Sequence, residues 1–377
     1  MADSRISLPG VNLATHELSR REFRRILIIK PSSFGDVIHA LPVLNGLRRR
    51  YPRAQISWLV NYNCAGLLEG QPALDEIIRF DRKRYARVGW SLSVTADFAA
   101  FIRGLQARRF DLVVDLQGLF RSGFMAFASG AGTRLGFGSA REFAWMFYTH
   151  RVSVRERDMH AVDRNWLFGR ALGFEDAPID FHLPVRVEAR TAIRQKLEAA
   201  GLKAGAPYVL MAPGTRWETK IWPAEHFAEV ARRVRDQYGV AIVLAGMDSE
   251  VPLANRVAEL AGGEIINVAG RTSLAELIAL VDGAAMVVMH DSGPMHLALA
   301  LGKPMVAIYG PTSPARTGPY RRDDVVARLD LPCSPCYLKD VADCPYGHRC
   351  MKELRPDVVI ERVRRVLDQR MGARVQG

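Results

Sequence analysis

The sequence predicts an α/β protein made of two doubly wound domains, each with a mainly parallel sheet. Short apolar runs, typical of buried parallel strands, alternate with helical segments along the 377 residues. The alternation pauses in a stretch rich in Lys, Arg and Glu, 184–206, and then begins again. We therefore expect a first domain over 1–185, a second over 186–355 and a C-terminal helix over 356–377.

Apolar runs place the strands of the first half at 25–30, 56–60 and 110–116. A turn at 31–35 follows the first strand, and Asp36 opens a helix that runs to Arg50. In the second half, strands are predicted at 208–212, 240–245, 265–268 and 286–289. The final helix has apolar residues at helical spacing, and we expect it to pack back on the first domain.

The composition favours an anionic partner. There are 52 Lys and Arg residues against 40 Asp and Glu residues, a formal charge of +12, although a generically basic proteome would give the same balance. No apolar run approaches the length of a membrane span, and the first 22 residues lack the apolar core of a signal peptide. We expect a cytoplasmic protein.

The stretch 287–312 is the one around which we expect a binding site to form. It reads as an apolar strand, a tight turn, a short helix and a second strand. Asp291 or Ser292 can cap the helix, Gly293 allows close approach of a ligand, and Pro294 suits the first turn. Free N–H groups at such a helix end can bind a phosphate. The alternative is an ordinary βαβ turn without a ligand.

Two common nucleotide-binding motifs are missing from the sequence. No Gly-x-Gly-x-x-Gly follows the first strand, and no Gly-Lys-Ser/Thr loop occurs. This argues against a dinucleotide-dependent oxidoreductase and a P-loop enzyme. Phosphate binding would instead depend on helix N-termini together with Lys220 as a point charge.

A series of short motifs runs through nearly the whole chain. In the first half they are SFGDVIHALP at 33–42, DLQGLFRS at 115–122, GF at 136–137, SARE at 139–142 and HAVDR at 160–164. In the second half they are GTR at 214–216, KIWP at 220–223, NVAGRTSL at 267–274, DSGPMH at 291–296 and YGPT at 309–312. In this order they resemble glycosyltransferase family nine, the bacterial lipopolysaccharide heptosyltransferases.

The resemblance implies a GT-B fold, with two Rossmann-like domains facing across a cleft. It implies inverting transfer of heptose from ADP-heptose to the lipopolysaccharide inner core, onto Kdo or heptose, without a required cofactor. It also implies an anionic, lipid-linked acceptor, peripheral contact with the inner membrane and no nucleic-acid partner. The segments 80–95 and 134–157 are then the loops expected to select the acceptor.

The resemblance also assigns roles to individual residues. The catalytic residues would be Asp36, as the base, and Lys220, at the diphosphate. The donor-binding residues would be Thr215, Arg216, Glu250, Asp291, Ser292, Gly293, His296 and Thr312. The acceptor-binding residues would be Ser33, Gln117, Arg121, Arg141, His160 and Arg164.

Several of these assignments have a structural alternative. Asp36 and Asp291 can be helix caps, and Lys220 and Glu250 can be solvated surface charges. His296 can simply pack against the sheet. The arginines, with His160, can be ordinary surface charge.

Cys333, Cys336, Cys344 and Cys350 form a cluster near the C-terminus. Four thiols can bind a structural zinc, and the first pair has Cys-x-x-Cys spacing, but the second pair is wider than usual. A disulfide and free thiols are the alternatives. Two other functions stay open at this point: a transferase or epimerase for a different nucleotide-sugar, and a zinc-containing nucleic-acid-binding protein without catalysis.

Overall fold

The computed structural model describes residues 17–156 and 158–375. The chain divides into two compact units between His182 and Leu183. Each unit contains one six-stranded sheet in which every hydrogen-bonded strand pair is parallel. The predicted α/β class with two doubly wound sheets is confirmed.

The first sheet has the strand order β3-β2-β1-β4-β5-β6. Its strands are β1 (Arg25–Ile29), β2 (Gln55–Asn61), β3 (Glu76–Phe80), β4 (Leu112–Asp115), β5 (Thr133–Phe137) and β6 (His150–Val152). The central strand β1 lies between β2 and β4, and its four apolar residues are completely buried. The sequence did not predict β3, β5 or β6, because Arg79, Arg134 and Arg151 interrupt their apolar runs.

Helices connect these strands across both faces of the sheet. They are α1 (Phe34–Ile38), α2 (Leu41–Arg50), α3 (Tyr62–Ala65), α4 (Leu92–Ala107), α5 (Phe120–Ala128) and α6 (Ala161–Leu172). The sequence predicts one helix from Asp36 to Arg50, whereas the structure has two. Pro42 explains the break, since it lacks the N–H that a continuous helix would need there.

The second sheet has the strand order β12-β11-β10-β7-β8-β9. Its strands are β7 (Tyr208–Ala212), β8 (Ala241–Leu244), β9 (Ile265–Asn267), β10 (Met286–His290), β11 (Met305–Ile308) and β12 (Val326–Ala327). Every residue of β7, β10 and β11 is buried, as continuous apolar runs predict. Only β12, two residues long at the sheet edge, gave no signal in the sequence.

The helices of the second unit are α7 (Val187–Ala199), α8 (Ala224–Tyr238), α9 (Val251–Ala261), α10 (Leu274–Gly283), α11 (Gly293–Ala300), α12 (Pro314–Thr317), α13 (Arg349–Lys352) and α14 (Pro356–Val375). None of the helices in the described part of the chain is both long and apolar enough to cross a membrane.

The C-terminal helix α14 differs from its predicted placement on the first domain. Its buried residues Val359, Ile360, Val363 and Leu367 join the core of the second unit. The side chains of Asp357 and Asp368 bond to Arg233 and Tyr238 of α8. The predicted helical spacing of its apolar residues is present, but the surface that they cover belongs to α8 and the neighbouring strands.

We predict that Ile360→Ala lowers the free energy of unfolding of the second unit by about 2–5 kcal/mol, because it leaves a cavity under α14. Arg365→Ala, on the 68% exposed side chain of the same helix, should change it by no more than about 0.5 kcal/mol. Urea denaturation of both variants measures the difference. Equal effects of the two substitutions would contradict this packing.

Candidate functional site

The residues predicted to bind the donor lie at one edge of the second sheet. Strands β8, β7, β10 and β11 are consecutive neighbours and parallel, so their carboxyl ends meet at that edge. Thr215, Arg216 and Lys220 follow β7, Glu250 follows β8, Asp291, Ser292, Gly293 and His296 follow β10, and Thr312 follows β11.

Lys220 and Asp291 form a buried ion pair at this edge. Lys220 Nζ lies 2.6 Å from Asp291 Oδ2 and donates a second hydrogen bond, 3.1 Å long, to the Asp291 carbonyl oxygen. The two side chains are 14% and 7% exposed. Lys220 Nζ also lies 4.5 Å above the ring of Trp217. A lysine has three N–H donors, so one remains for a ligand.

Asp291 has further partners at both carboxylate oxygens. Thr312 Oγ1 donates to Oδ2 at 2.8 Å, and the Tyr309 hydroxyl donates to Oδ1 at 3.2 Å. Burial and the Asp291 charge raise the pKa of Tyr309, so its hydroxyl keeps the proton that it donates. His296 is buried, with Nε2 3.9 Å from Asp291 Oδ1. A single carboxylate therefore joins the loops that follow three strands.

His290, the last residue of β10, holds the loop that carries Lys220 in place through a hydrogen bond. It is completely buried, and burial lowers its pKa to about 3, so the ring is neutral at pH 7. Its Nε2 accepts a hydrogen bond of 2.9 Å from the backbone N–H of Trp222. In the neutral form this nitrogen can accept a hydrogen bond. The bond fixes the backbone two residues after Lys220.

The N-terminus of α11 carries no capping hydrogen bond from a described side chain. Ser292 occupies the cap position, but its hydroxyl donates to the His290 carbonyl at 3.3 Å. Gly293 and Pro294 begin the helix. Helix α11 has eight residues and an uncapped start, and the Lys220 ammonium contacts Asp291, which lies just before it. This arrangement is suited to an anion.

Glu250 covers the backbone of two glycines. A Cβ atom at Gly214 would collide with the Glu250 side chain, and one at Gly246 would come within 2.9 Å of its Oε2. The carboxylate accepts a 2.8 Å hydrogen bond from the Met247 N–H, and burial raises its pKa. Glu250 therefore faces the loop that leads to Thr215.

The cysteine-rich segment 332–352 is joined to two loops of this edge. Thr219 Oγ1 donates to the Leu338 carbonyl, and His348 Nε2 donates to the Thr219 carbonyl, both at 2.6 Å. The N–H of Tyr337 donates to the Pro311 carbonyl at 2.8 Å. The segment therefore holds the loop of Lys220 and the turn of Thr312.

The four predicted cysteines line one cavity of about 260 Å³ beside Pro311. They are Cys333, Cys336, Cys344 and Cys350, all free thiols. Burial raises the pKa of Cys350 to about 11. Within 17–156 and 158–375, no three His, Cys, Asp or Glu side chains are arranged to hold a metal ion. The structural zinc remains a prediction.

Asp36 lies at the corresponding edge of the first sheet, after β1. Its Oδ2 accepts the hydroxyl of Ser33 at 2.7 Å and the Ser33 N–H at 3.0 Å, so the predicted capping role is present. Desolvation raises its pKa, but the Lys30 ammonium, 3.7 Å away, and the Ser33 hydrogen bonds outweigh it and lower the pKa to about 2. The side chain is nevertheless 41% exposed. It is an ionised, accessible carboxylate.

Gln117 follows β4, next to β1 in the sheet. Its N–H donates to the buried Asp115 at 2.8 Å, and the side-chain Oε1 is buried without a hydrogen-bond partner among the described residues. The Tyr148 hydroxyl donates to the other oxygen of Asp115 at 2.7 Å. This network fixes the turn that places Gln117 and Arg121 after the strand.

The other predicted acceptor residues fall into two groups. Arg121 and Arg141 are exposed, and no described carboxylate forms an ion pair with either. His160 caps α6, with Nδ1 accepting the Val162 N–H at 3.1 Å. Arg164 places its guanidinium 4.3 Å from the ring centre of Phe137. The second pair therefore has structural contacts in addition to its predicted role.

Sequence reasoning missed the residues that hold the predicted ones. Lys30 pairs with Asp36, and Tyr309 and His290 fix the surroundings of Lys220 and Asp291. A signal was present for Lys30 and His290, since a charged or polar residue that ends a buried apolar strand needs a partner. Nothing in the sequence signals the contacts of Thr219, whose partners lie more than 100 residues away.

The chain is similar to known glycosyltransferases. The sequence model of "Glycosyltransferase family 9 (heptosyltransferase)" matches residues 98–345. Lipopolysaccharide heptosyltransferase 1 of Pseudomonas aeruginosa is 35% identical over 319 residues, 84% of this chain and 86% of that protein.

Solved structures also match. The Escherichia coli heptosyltransferase WaaC with ADP-2-deoxy-2-fluoro heptose has 27% identity and a TM-score of 0.70, covering 90% of this chain and 99% of that one. A glycosyl transferase family 9 structure from Veillonella parvula has 24% identity and a TM-score of 0.78, covering 92% and 98%. The second of these likenesses concerns the fold alone.

We predict that Lys30→Met raises the pKa of Asp36 from about 2 toward its ordinary value of 3.8, since the lysine charge is removed while desolvation and the Ser33 hydrogen bonds remain. Carbon-13 NMR of aspartate-labelled protein measures this titration, and Asp36→Asn assigns the signal. Lys83→Met, a change on an exposed loop, should leave it in place. An unshifted Asp36 signal in Lys30→Met would show that the ion pair does not set its pKa.

Proposed function

The chain belongs to glycosyltransferase family 9, and on that basis we propose that it transfers heptose from ADP-heptose to Kdo or heptose of the lipopolysaccharide inner core. The observation that carries the proposal is the pairing of Lys220 with Asp291 beside the uncapped start of α11. This arrangement places N–H donors of the lysine and of the helix start together at the end of a strand, which suits a diphosphate.

In the proposal, the donor diphosphate binds between Lys220 and the N-terminus of α11. The third N–H of Lys220 and the N–H of Gly293 donate to phosphate oxygens, with Ser292 alongside. As the glycosidic bond breaks, negative charge grows on the departing ADP, and these groups stabilise it without a cofactor. Lys220 is therefore proposed as a catalytic residue as well as a binding residue.

Other residues of this edge position the donor. Asp291 has partners at both oxygens, which favours a role in holding Lys220 and Thr312 in place, in addition to any contact with the sugar. His296 supports the same carboxylate from inside the helix. Glu250 lies against Gly214, next to Thr215 and the exposed Arg216, where it is suited to bind a donor hydroxyl.

Asp36 is proposed to accept the proton of the acceptor hydroxyl as that hydroxyl attacks the anomeric carbon from the side opposite ADP, which inverts its configuration. With a pKa of about 2, the carboxylate is ionised at pH 7 but has a low proton affinity. Proton transfer then becomes favourable late, after the bond to ADP has largely broken and the attacking hydroxyl has become acidic. Lys30 and Ser33 keep the carboxylate oriented.

The acceptor is proposed to be an anionic saccharide on a lipid. Arg121 and Arg141, exposed and without described ion-pair partners, are suited to carboxylate and phosphate groups. The side-chain oxygen of Gln117, which has no hydrogen-bond partner among the described residues, can accept from a hydroxyl. His160 and Arg164 complete the proposed set. We further infer that the enzyme works in the cytoplasm in peripheral contact with the inner membrane, because its acceptor is lipid-linked.

We predict that Asp36→Asn lowers the rate of heptose transfer about 10²- to 10⁴-fold, the usual contribution of a general base, with unchanged affinity for ADP. Ser33→Ala is the matched control, because it removes a hydrogen bond to the carboxylate but keeps the base, and it should cost far less. Product formation and calorimetric titration with ADP measure the two effects. Loss of ADP binding in a folded Asp36→Asn protein would contradict the assignment.

We predict that Lys220→Met weakens ADP binding about 10- to 100-fold, the cost of losing a charged hydrogen bond. Lys339→Met is the matched control, since Lys339 lies above the same Trp217 ring, at 5.4 Å, but is exposed. Calorimetric titration with ADP compares them.

Lys220→Met leaves the Asp291 carboxylate buried without its cation, which can destabilise the fold. The Lys220→Met/Asp291→Asn protein removes that charge and so controls for a folding defect. It should bind ADP as weakly as the single variant. Recovery of native affinity in the double variant, or equal losses in both lysine variants, would argue against a phosphate contact by Lys220.

A further inference from the structure

The first unit exposes a group of large apolar side chains, which we call the aromatic face. Their exposed fractions range from 39% at Trp145 to 92% at Trp90 and Leu92. The members are Trp90, Leu92, Phe120, Phe127, Phe143, Trp145 and Met146. Five of the seven are aromatic, which is unusual for a surface that only faces water.

The aromatic face is built by the segments that leave the carboxyl ends of β3, β4 and β5. Two of these segments overlap the loops 80–95 and 134–157 that the sequence links to acceptor choice. Gln117, Arg121 and Arg141 lie in the same segments. Phe120 begins α5 directly after β4, so the face reaches the edge of the sheet where the acceptor saccharide is proposed to bind.

The rings beneath the aromatic face form one continuous array. Tyr85 contacts Phe98, with ring centres 5.2 Å apart, and Phe98 lies 6.4 Å from Phe124. Phe124 lies 6.2 Å from Phe147, which in turn contacts Phe120 at 5.3 Å. Helix α4 contributes to this array but has only one fully buried residue, Leu105. The array thus joins segments that carry members of the aromatic face.

Exposed cationic residues lie on the same segments as the members of the aromatic face. Arg82, Lys83, Arg87, Arg121 and Arg141 are exposed, and none forms an ion pair with a described carboxylate. Two further arginines lie on the exposed rings, Arg151 at 4.8 Å from Trp145 and Arg134 at 5.6 Å from Phe127. The surface therefore combines apolar rings with cations in one place.

The second unit has a different surface. Its large exposed apolar residues are Val187, Met247, Leu260, Tyr337 and Tyr346, of which Tyr337 and Tyr346 share the cysteine-rich segment. Single exposed apolar residues are normal and require no partner. They also provide exposed control positions.

We propose that the aromatic face docks on the surface of an anionic phospholipid bilayer. Trp, Phe and Leu side chains are favoured at the boundary between head groups and acyl chains, and Arg and Lys contact lipid phosphates. The inference rests on the proposed function in one respect, since a lipid-linked acceptor gives the docking its purpose. Docking would hold the acceptor edge of the first sheet against the membrane that carries the saccharide.

The test is sedimentation of the full chain with vesicles of phosphatidylethanolamine and phosphatidylglycerol in equal parts. The Trp90→Ser/Leu92→Ser/Phe127→Ser protein should partition about tenfold or more weakly than the native protein, since three large apolar groups no longer enter the interface. The Val187→Ser/Met247→Ser/Tyr346→Ser protein, altered at exposed positions of the second unit, should sediment like the native protein.

Transfer assays separate this inference from the proposed function. Relative to the native protein, the aromatic-face variant should lose at least about tenfold more transfer with the saccharide in vesicles than with the same saccharide as a water-soluble acceptor without acyl chains. Lack of transfer by the native protein would refute the function and leave vesicle binding as a separate result. The proposed docking would be refuted if the native protein did not sediment with the vesicles, or if the two triple variants sedimented with them equally. The proposal would also be overturned if the native protein were a dimer and the aromatic-face variant a monomer, since the face would then bind a second copy.

Discussion

Lys220 and Asp291 form a buried ion pair that connects the loop after β7 to the end of β10. Each charge would be costly without the other in this environment, so the two loops keep a fixed separation. Tyr309 and Thr312 add the segment after β11 to the same carboxylate. The position of the α11 N-terminus relative to the lysine, on which the proposed diphosphate site depends, follows from this pair.

The first unit contains a second lysine–aspartate pair at the equivalent sheet edge, with a different outcome. Lys30 is buried, but Asp36 is 41% exposed and lies 3.7 Å from the ammonium. Asp291 is 7% exposed and lies 2.6 Å from its lysine. The closer and more enclosed pair organises loops, whereas the looser one leaves a carboxylate available to a substrate. The difference in side-chain exposure thus distinguishes Asp291, which has a structural role, from Asp36, the proposed base.

The fold class could be predicted because the central strands are continuous apolar runs, as in β1, β7 and β10. Strands at the edges, such as β6 and β12, are too short or too charged to be recognised. The motifs located Asp36, Lys220 and Asp291, but not what these residues contact. Sequence spacing carries no information about hydrogen bonds between distant residues, such as the one from Thr219 to Leu338. The same limit applies to α14. The spacing of its apolar residues indicated a buried face but not which unit that face packs on.

The hydrogen bonds of the cysteine-rich segment also constrain how the chain acquires its binding edge during synthesis. The Lys220 loop depends on Leu338 and His348, and the Trp222 indole donates to the carbonyl of Leu354 at 2.8 Å. A nascent chain that has completed β10 therefore still lacks the supports of that loop. Nucleotide binding should emerge only at the last stage of translation, and fragments that end before the segment should form a sheet without an ordered pocket.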